Sequence, residues 1–249
     1  MPSATLHVMM EAAKKAGRAL ARDFGELENL QVSRKGPGDF VTQADLRTEK
    51  ILHEELEYAR PGYGFLMEES GLVEGSDATH RWIIDPLDGT TNFMHAIAHF
   101  AISIALQREE TLVAGVVYDP ITGDAYHAER GEGAFLNNRR LRVATRTHLD
   151  EAVLGIGHGI SAQEAAEFNI AGLRRFGAAA LDLAFVAAGR LDGFWARGLA
   201  PWDMAAGIVL VREAGGMVSD FDNKDGFLES GAIVAANDTI HRAMRTRIS

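Results

Sequence analysis

The chain has 249 residues, 47% hydrophobic and 24% charged, enough to bury an ordinary core in one domain or two packed halves. Its 25 basic and 35 acidic residues leave a net charge of −10, which argues against general nucleic-acid binding. There is no cysteine, so disulfides and thiolate metal sites are excluded. No apolar run approaches the ~18 residues of a membrane span. No basic stretch followed by an apolar one opens the chain, so a cytoplasmic protein without a secretory leader is expected.

In chain order, residues 5–24 place Leu6, Met9, Met10, Ala13, Ala16, Leu20 and Phe24 near helical spacing, which predicts an amphipathic helix. Residues 34–40 read as a mobile basic loop. A second helix is expected from Thr42 to Tyr58, closed by Pro61-Gly62, with Asp45 in its first turns, where a carboxylate suits the helix dipole. Tyr63–Met67 reads as a strand ending at Glu68-Glu69, and 72–80 as a polar loop. Trp82, Ile83 and Ile84 suit a buried strand that Asp85-Pro86 stops. Asp88-Gly89 turns the chain, and Thr90, Thr91 and Asn92 are helix N-cap types. Phe100–Leu106 and Leu112–Val117 predict a hairpin, and 124–136 short strands broken by Gly131 and Gly133. The first part, to about residue 145, therefore reads as two helices followed by an antiparallel sheet. From 146 to 249 the expected order is strand Val153–Ile156, helix 161–174, helix Gly177–Ala188, strand Leu191–Trp195, and helix Trp202–Ala214 ended by Gly215-Gly216. Strands Met217–Ser219 and Ile233–Ala236 and a helix over 238–248 follow.

Asp85 and Asp88 thus sit at a strand end beside a helix N-terminus. Two close carboxylates repel unless a cation lies between them. Oxygen ligands without cysteine favour Mg²⁺, Ca²⁺ or Mn²⁺, and backbone N–H groups after Gly89 can hold a phosphate. A plain polar turn reads the same five residues equally well. The longer string Asp85-Pro86-Leu87-Asp88-Gly89-Thr90-Thr91-Asn92-Phe93 resembles the signature of the inositol monophosphatase family, and most of all its bacterial members. Trp202-Asp203-Met204-Ala205-Ala206-Gly207 with Glu213-Ala214-Gly215-Gly216 resembles a second signature. Asp39 to Asp45 and Phe65 to Gly71 add two more pieces in the same order.

The resemblance implies an α+β fold, a layered αβαβα sandwich, as a single domain of two packed halves. It implies a Mg²⁺-dependent, lithium-sensitive phosphatase with two to three ions per site and a homodimer. By this match, Glu68, Asp85, the Leu87 carbonyl, Asp88 and Asp203 hold the ions. Glu68 and Thr90 orient a metal-activated water for direct attack, and Asp45 accepts a hydrogen bond from Thr90. Gly89 and Thr90 N–H groups take phosphate oxygens. Gly177, Ala178, Asp203 and position 196 line the substrate, where Ala196 stands in place of the family's usual glutamate; Arg197 beside it reads as a solvent-facing side chain or as a candidate for a further anionic group. Inositol 1-monophosphate is the expected substrate, with histidinol phosphate, fructose 1,6-bisphosphate and adenosine bisphosphate as alternatives. A protein-interaction module of the transcription machinery is the competing class.

Three other patterns fail. Gly155-Ile156-Gly157-His158-Gly159 ends in Ile160 where a dinucleotide fingerprint needs glycine. Asp220–Gly226 has Lys224 at a calcium-ligand position and Gly231 where a closing glutamate belongs. His95 and His99 lack the glutamate that zinc hydrolysis requires.

Overall fold

A computed structural model describes residues 2–26, 32–36, 39–161, 163–164 and 168–248. Helix α1 (Ala4–Gly25) starts at Ser3, whose hydroxyl accepts from the Leu6 N–H, and buries Leu6, Met9, Met10, Ala13, Ala16 and Leu20 as its spacing predicts. A hairpin of β1 (Val32–Gly36) and β2 (Asp39–Thr42) leads into α2 (Gln43–Ala59). The expected basic loop over 34–40 is therefore mostly paired strand, with 37–38 outside the described residues.

An eight-stranded sheet follows. It contains β3 (Tyr63–Met67), β4 (Gly71–Val73), β5 (Asp77–Asp88), β6 (Ala101–Arg108), β7 (Thr111–Tyr118), β8 (Ala125–Glu129), β9 (Gly133–Leu136) and β10 (Arg139–Arg140). Its order is β10-β9-β8-β7-β6-β5-β3-β4. Helix α3 (Thr90–Met94) lies between β5 and β6. Three expectations change here. The stretch 72–80 is not all loop, since β4 and the start of β5 take part of it. The sheet is not wholly antiparallel, because β3 and β5 run parallel. Nor does Asp85-Pro86 end its strand. Asp85 pairs Ser103 and Asp88 pairs Ala101, so β5 carries an extra residue as a bulge at Pro86-Leu87.

The second sheet has order β12-β11-β13-β15-β14. Its strands are β11 (Val153–Ile156), β12 (Gly172–Arg174), β13 (Gly193–Ala196), β14 (Met217–Ser219) and β15 (Ile233–Ala236). The helix expected over 161–174 is wrong in its second half, because Gly172–Arg174 pairs in parallel with Val153–Gly155. Helices α4 (Ala179–Ala187) and α5 (Pro201–Glu213) lie between the sheets. Short α6 (Phe227–Ser230) was not expected, and α7 (Asp238–Arg245) packs on the outer face of the second sheet.

Three buried clusters mark the spaces between layers. Leu20, Leu52, Phe65, Trp82 and Ile84 fill the space under α1 and α2. Ile83, Val117, Leu183, Ile208 and Phe194 fill the space around α4 and α5. Leu154, Trp195, Val234, Ile240 and Met244 fill the space under α7. Alternation along β5 explains the first two, since neighbours Trp82 and Ile83 face opposite sides of the sheet. The result is the αβαβα sandwich. Among the described residues, no helix is long and apolar enough to cross a membrane.

Candidate active site

Parallel pairing of β3 with β5 sets Met67 opposite Ile84. The next residues are Glu68, just past the end of β3, and Asp85, inside β5, which come side by side. The Glu68 N–H donates to the Ile84 carbonyl at 3.2 Å, which fixes that exit. The bulge turns Asp85 and Asp88 the same way, and Asp85 Oδ1 accepts from the Leu87 N–H at 2.9 Å. Asp88 Oδ2 accepts from the Ala180 N–H at 2.7 Å, so the start of α4 grips it. Asp203, in the first turn of α5, accepts from the Ala200 N–H at 2.8 Å.

Burial gives these groups unusual electrostatics. Asp85 and Asp88 are buried at 2% and 9% exposure. Burial, reinforced by Glu68, Asp88 and Asp203, holds the Asp85 carboxyl well above the usual range. Burial and Asp203 do the same to Asp88, against the opposing Ala180 and Ala179 N–H groups. Asp203 is pushed up to about 6 by burial, with the Ala200 N–H and nearby His158 working against the rise. Buried Asp85, Asp88 and Asp203, whose carboxyls resist ionising, together with Glu68 beside Asp85, form a site that gains from a cation. Among the described residues, no three His, Cys, Asp or Glu side chains close around one point as a ready cage. The donor set is nonetheless all oxygen, and Mg²⁺ keeps several of its waters instead of demanding an all-protein cage. The chemistry of the donors fits Mg²⁺.

Gly89 begins α3 with φ +97, a left-handed conformation, and an added Cβ would meet the His99 carbonyl at 3.1 Å. Thr90 is thereby the first helical residue and not its cap. Its Oγ1 donates to the Leu87 carbonyl at 3.1 Å, with Asp45 Oδ1 at 3.4 Å. Asp45 is fully buried in the first turn of α2. Asn92 Nδ2 donates to the carbonyls of His99 and Phe176, both at 2.8 Å, and ties the motif to the strand of chain that enters α4.

A cleft of about 270 Å³ opens beside these groups, lined by Asp88, Asp203, Gly177, Ala178 and Ala179. His158, Arg175, Asp182 and Leu199 line it too, and sequence reasoning found none of them. The signal was present in Gly157-His158-Gly159. An added Cβ at Gly157 would lie 2.7 Å from Ala196 Cβ, and Gly159 has φ +71, so both glycines serve a close turn at the cleft. Ala196, expected to line the substrate, is fully buried in β13 and absent from the cleft wall. Arg197 is not turned to the cleft either, because its guanidinium pairs with Glu164 and stacks on Phe221. His95 and His99 do not share a helix, since α3 ends at Met94. His99 packs between Phe176 and Phe185, and Asp220 is spent on the Lys224 N–H.

Comparison with known proteins agrees across the whole length. The inositol monophosphatase family profile matches residues 1–249. The inositol-1-monophosphatase of Mesorhizobium japonicum is 58% identical, over 97% of this chain and 95% of that one. Nus factor SuhB of Escherichia coli K12 is 44% identical, over 96% and 93%. The crystal structure of extragenic suppressor protein suhB from Bartonella henselae superposes with a TM-score of 0.96 at 50% identity, covering 99% of both chains. The chain belongs to the inositol monophosphatase family.

Proposed function

We propose that this protein hydrolyses the phosphate monoester of a small polyol, with inositol 1-monophosphate its leading substrate, in a Mg²⁺-dependent and lithium-sensitive reaction. The observation that carries this is the convergence of Glu68, Asp85, Asp88 and Asp203 from two strand ends and a helix start beside the start of α4. Glu68, Asp85, the Leu87 carbonyl, Asp88 and Asp203 would hold two to three Mg²⁺ ions. Bound there, Mg²⁺ offsets the charge of the phosphate and lowers the pKa of water.

The protein's own groups do the rest. Thr90 points its proton at the Leu87 carbonyl or Asp45, which leaves its oxygen lone pairs to accept from a water. Glu68 and Thr90 together orient that water in line with the phosphorus. Gly89 and Thr90 N–H groups, at the start of α3, hold phosphate oxygens while Gly177 and Ala178 border the leaving alcohol. No cysteine is available for a phosphoenzyme. The same reading includes a homodimer in the cytoplasm, and the exposed run His95-Ala96-Ile97-Ala98 beside the site is a surface open to a second copy.

Phosphate release from inositol 1-monophosphate, glycerol 2-phosphate, histidinol phosphate, fructose 1,6-bisphosphate and adenosine bisphosphate tests the reading. Turnover of inositol 1-monophosphate that requires Mg²⁺ and falls with lithium is the expected result. Undiminished turnover after exhaustive chelation would sink it. The relative named a Nus factor favours a second role in transcription; a pull-down of transcription proteins by a catalytically silent variant checks that independently.

A further inference from the structure

The cleft beside Asp88 and Asp203 has a polar wall that phosphate chemistry leaves idle. Asp182 stands one turn into α4, is 1% exposed, and lines that cleft. Its Oδ1 has no hydrogen-bond partner among the described residues. Buried polar atoms are nearly always paired, and an orphan at a cleft wall marks a place where a ligand completes the bonding. Apart from Asp88, Asp203 and the His158 imidazole, the neighbouring walls offer little else. Gly177, Ala178, Ala179 and Leu199 bring no polar side chain, and Ala196 contributes nothing from full burial. The Arg175 guanidinium is committed to the carbonyls of Gly157 and Ile160.

We propose that Asp182 reads a hydroxyl group of the leaving alcohol, so that the cleft selects phosphate esters of polyols over those of alcohols with no further hydroxyl. The proposal rests on the phosphatase reading above. A carboxyl oxygen without a partner can accept a hydrogen bond from an alcohol hydroxyl. Discrimination of this kind arises because the wrong substrate leaves a buried polar group unpaired.

The test compares kcat/KM for inositol 1-phosphate and cyclohexyl phosphate, the same ring without hydroxyls, with Mg²⁺ present. Wild type, Asp182→Asn, Asp182→Ala and Asp182→Leu are measured. Wild type should prefer the inositol ester, and Asp182→Leu should lower that preference about tenfold. Asp182→Ala should do the same and decides the matter if the leucine variant fails to fold. Asp182→Asn keeps an accepting oxygen and should hold the preference within about threefold. An equal loss on both esters would assign Asp182 to the fold or the ion site and overturn the proposal, as would an unchanged preference. A wild type that turns over both esters equally defeats this proposal alone; one that turns over neither defeats the phosphatase reading with it.

Discussion

Asp88 shows how activity and stability part company at a single residue. Its oxygen accepts from Ala180, a bond that an asparagine oxygen can keep, while its charge is buried among other carboxylates. Asp88→Asn should therefore cut kcat/KM by on the order of a hundredfold or more. It should also leave the Tm in chelator equal to or above wild type, because one buried like charge is gone. Wild-type turnover at limiting Mg²⁺ would show that Asp88 is not a ligand. Thr90→Ala should lower kcat by about a hundredfold with little change in KM, since orienting a water matters in the transition state. An effect confined to KM would make Thr90 a phosphate-binding residue. Asp85, Asp88 and Thr90 were legible because their spacing repeats a signature. Asp182 was not, because a lone aspartate in an alanine-rich run carries no pattern. The partners of Arg197 were not legible for a different reason: Glu164 and Phe221, its neighbours in space, are far from it along the chain.

Among elements, the segment from Asn92 to Phe100 acts as a staple across layers. Asn92→Ala removes two donors at 2.8 Å and strands the carbonyls of His99 and Phe176. A loss of about 1–3 kcal/mol is expected, together with a higher KM as the chain entering α4 loosens. Chemical denaturation checks the first and steady-state kinetics the second; an unchanged KM would detach Asn92 from the cleft. Helices α1, α2 and α5 were readable because each shows an apolar stripe or run with a clear stop. The stretch to Arg174 was not, since the Ala- and Glu-rich composition before it carries helical propensity. The pairing of Gly172 with Val153 is a parallel contact that local periodicity does not encode. The bulge at Pro86-Leu87 was missed for a related reason. Proline ends most strands, and only the pairing of Asp88 with Ala101 keeps this one going.

For the whole molecule, the raised carboxylates tie stability to pH and to the ion. A carboxyl whose folded pKa lies above its unfolded value stabilises the fold at low pH and loses that contribution as pH rises through the folded value. For Asp203 the window runs from the ordinary carboxylate range up to about 6, and Asp85 and Asp88 extend it upward. Buried His127 and His241, held below the usual imidazole range, act in the opposite sense as pH falls. The clean readout is therefore the rise in Tm caused by Mg²⁺. Mg²⁺ competes with protons for the carboxylates, so that rise should be small at pH 5 and grow toward pH 8. A Mg²⁺ effect independent of pH would remove these groups from the ion site.

The seam between the two sheets has a kinetic meaning as well. Glu68, Asp85 and Asp88 leave the first sheet, Asp203 leaves a helix wedged between the sheets, and α4 closes on Asp88 from the later half of the chain. The Ala180–Asp88 contact joins residues 92 apart in the chain, and such long-range contacts form late in folding. Catalysis then serves as a clock for docking of the layers. In a refolding experiment, helical circular dichroism should recover ahead of phosphate release, and added Mg²⁺ should shorten the lag by pulling the two halves of the ligand set together.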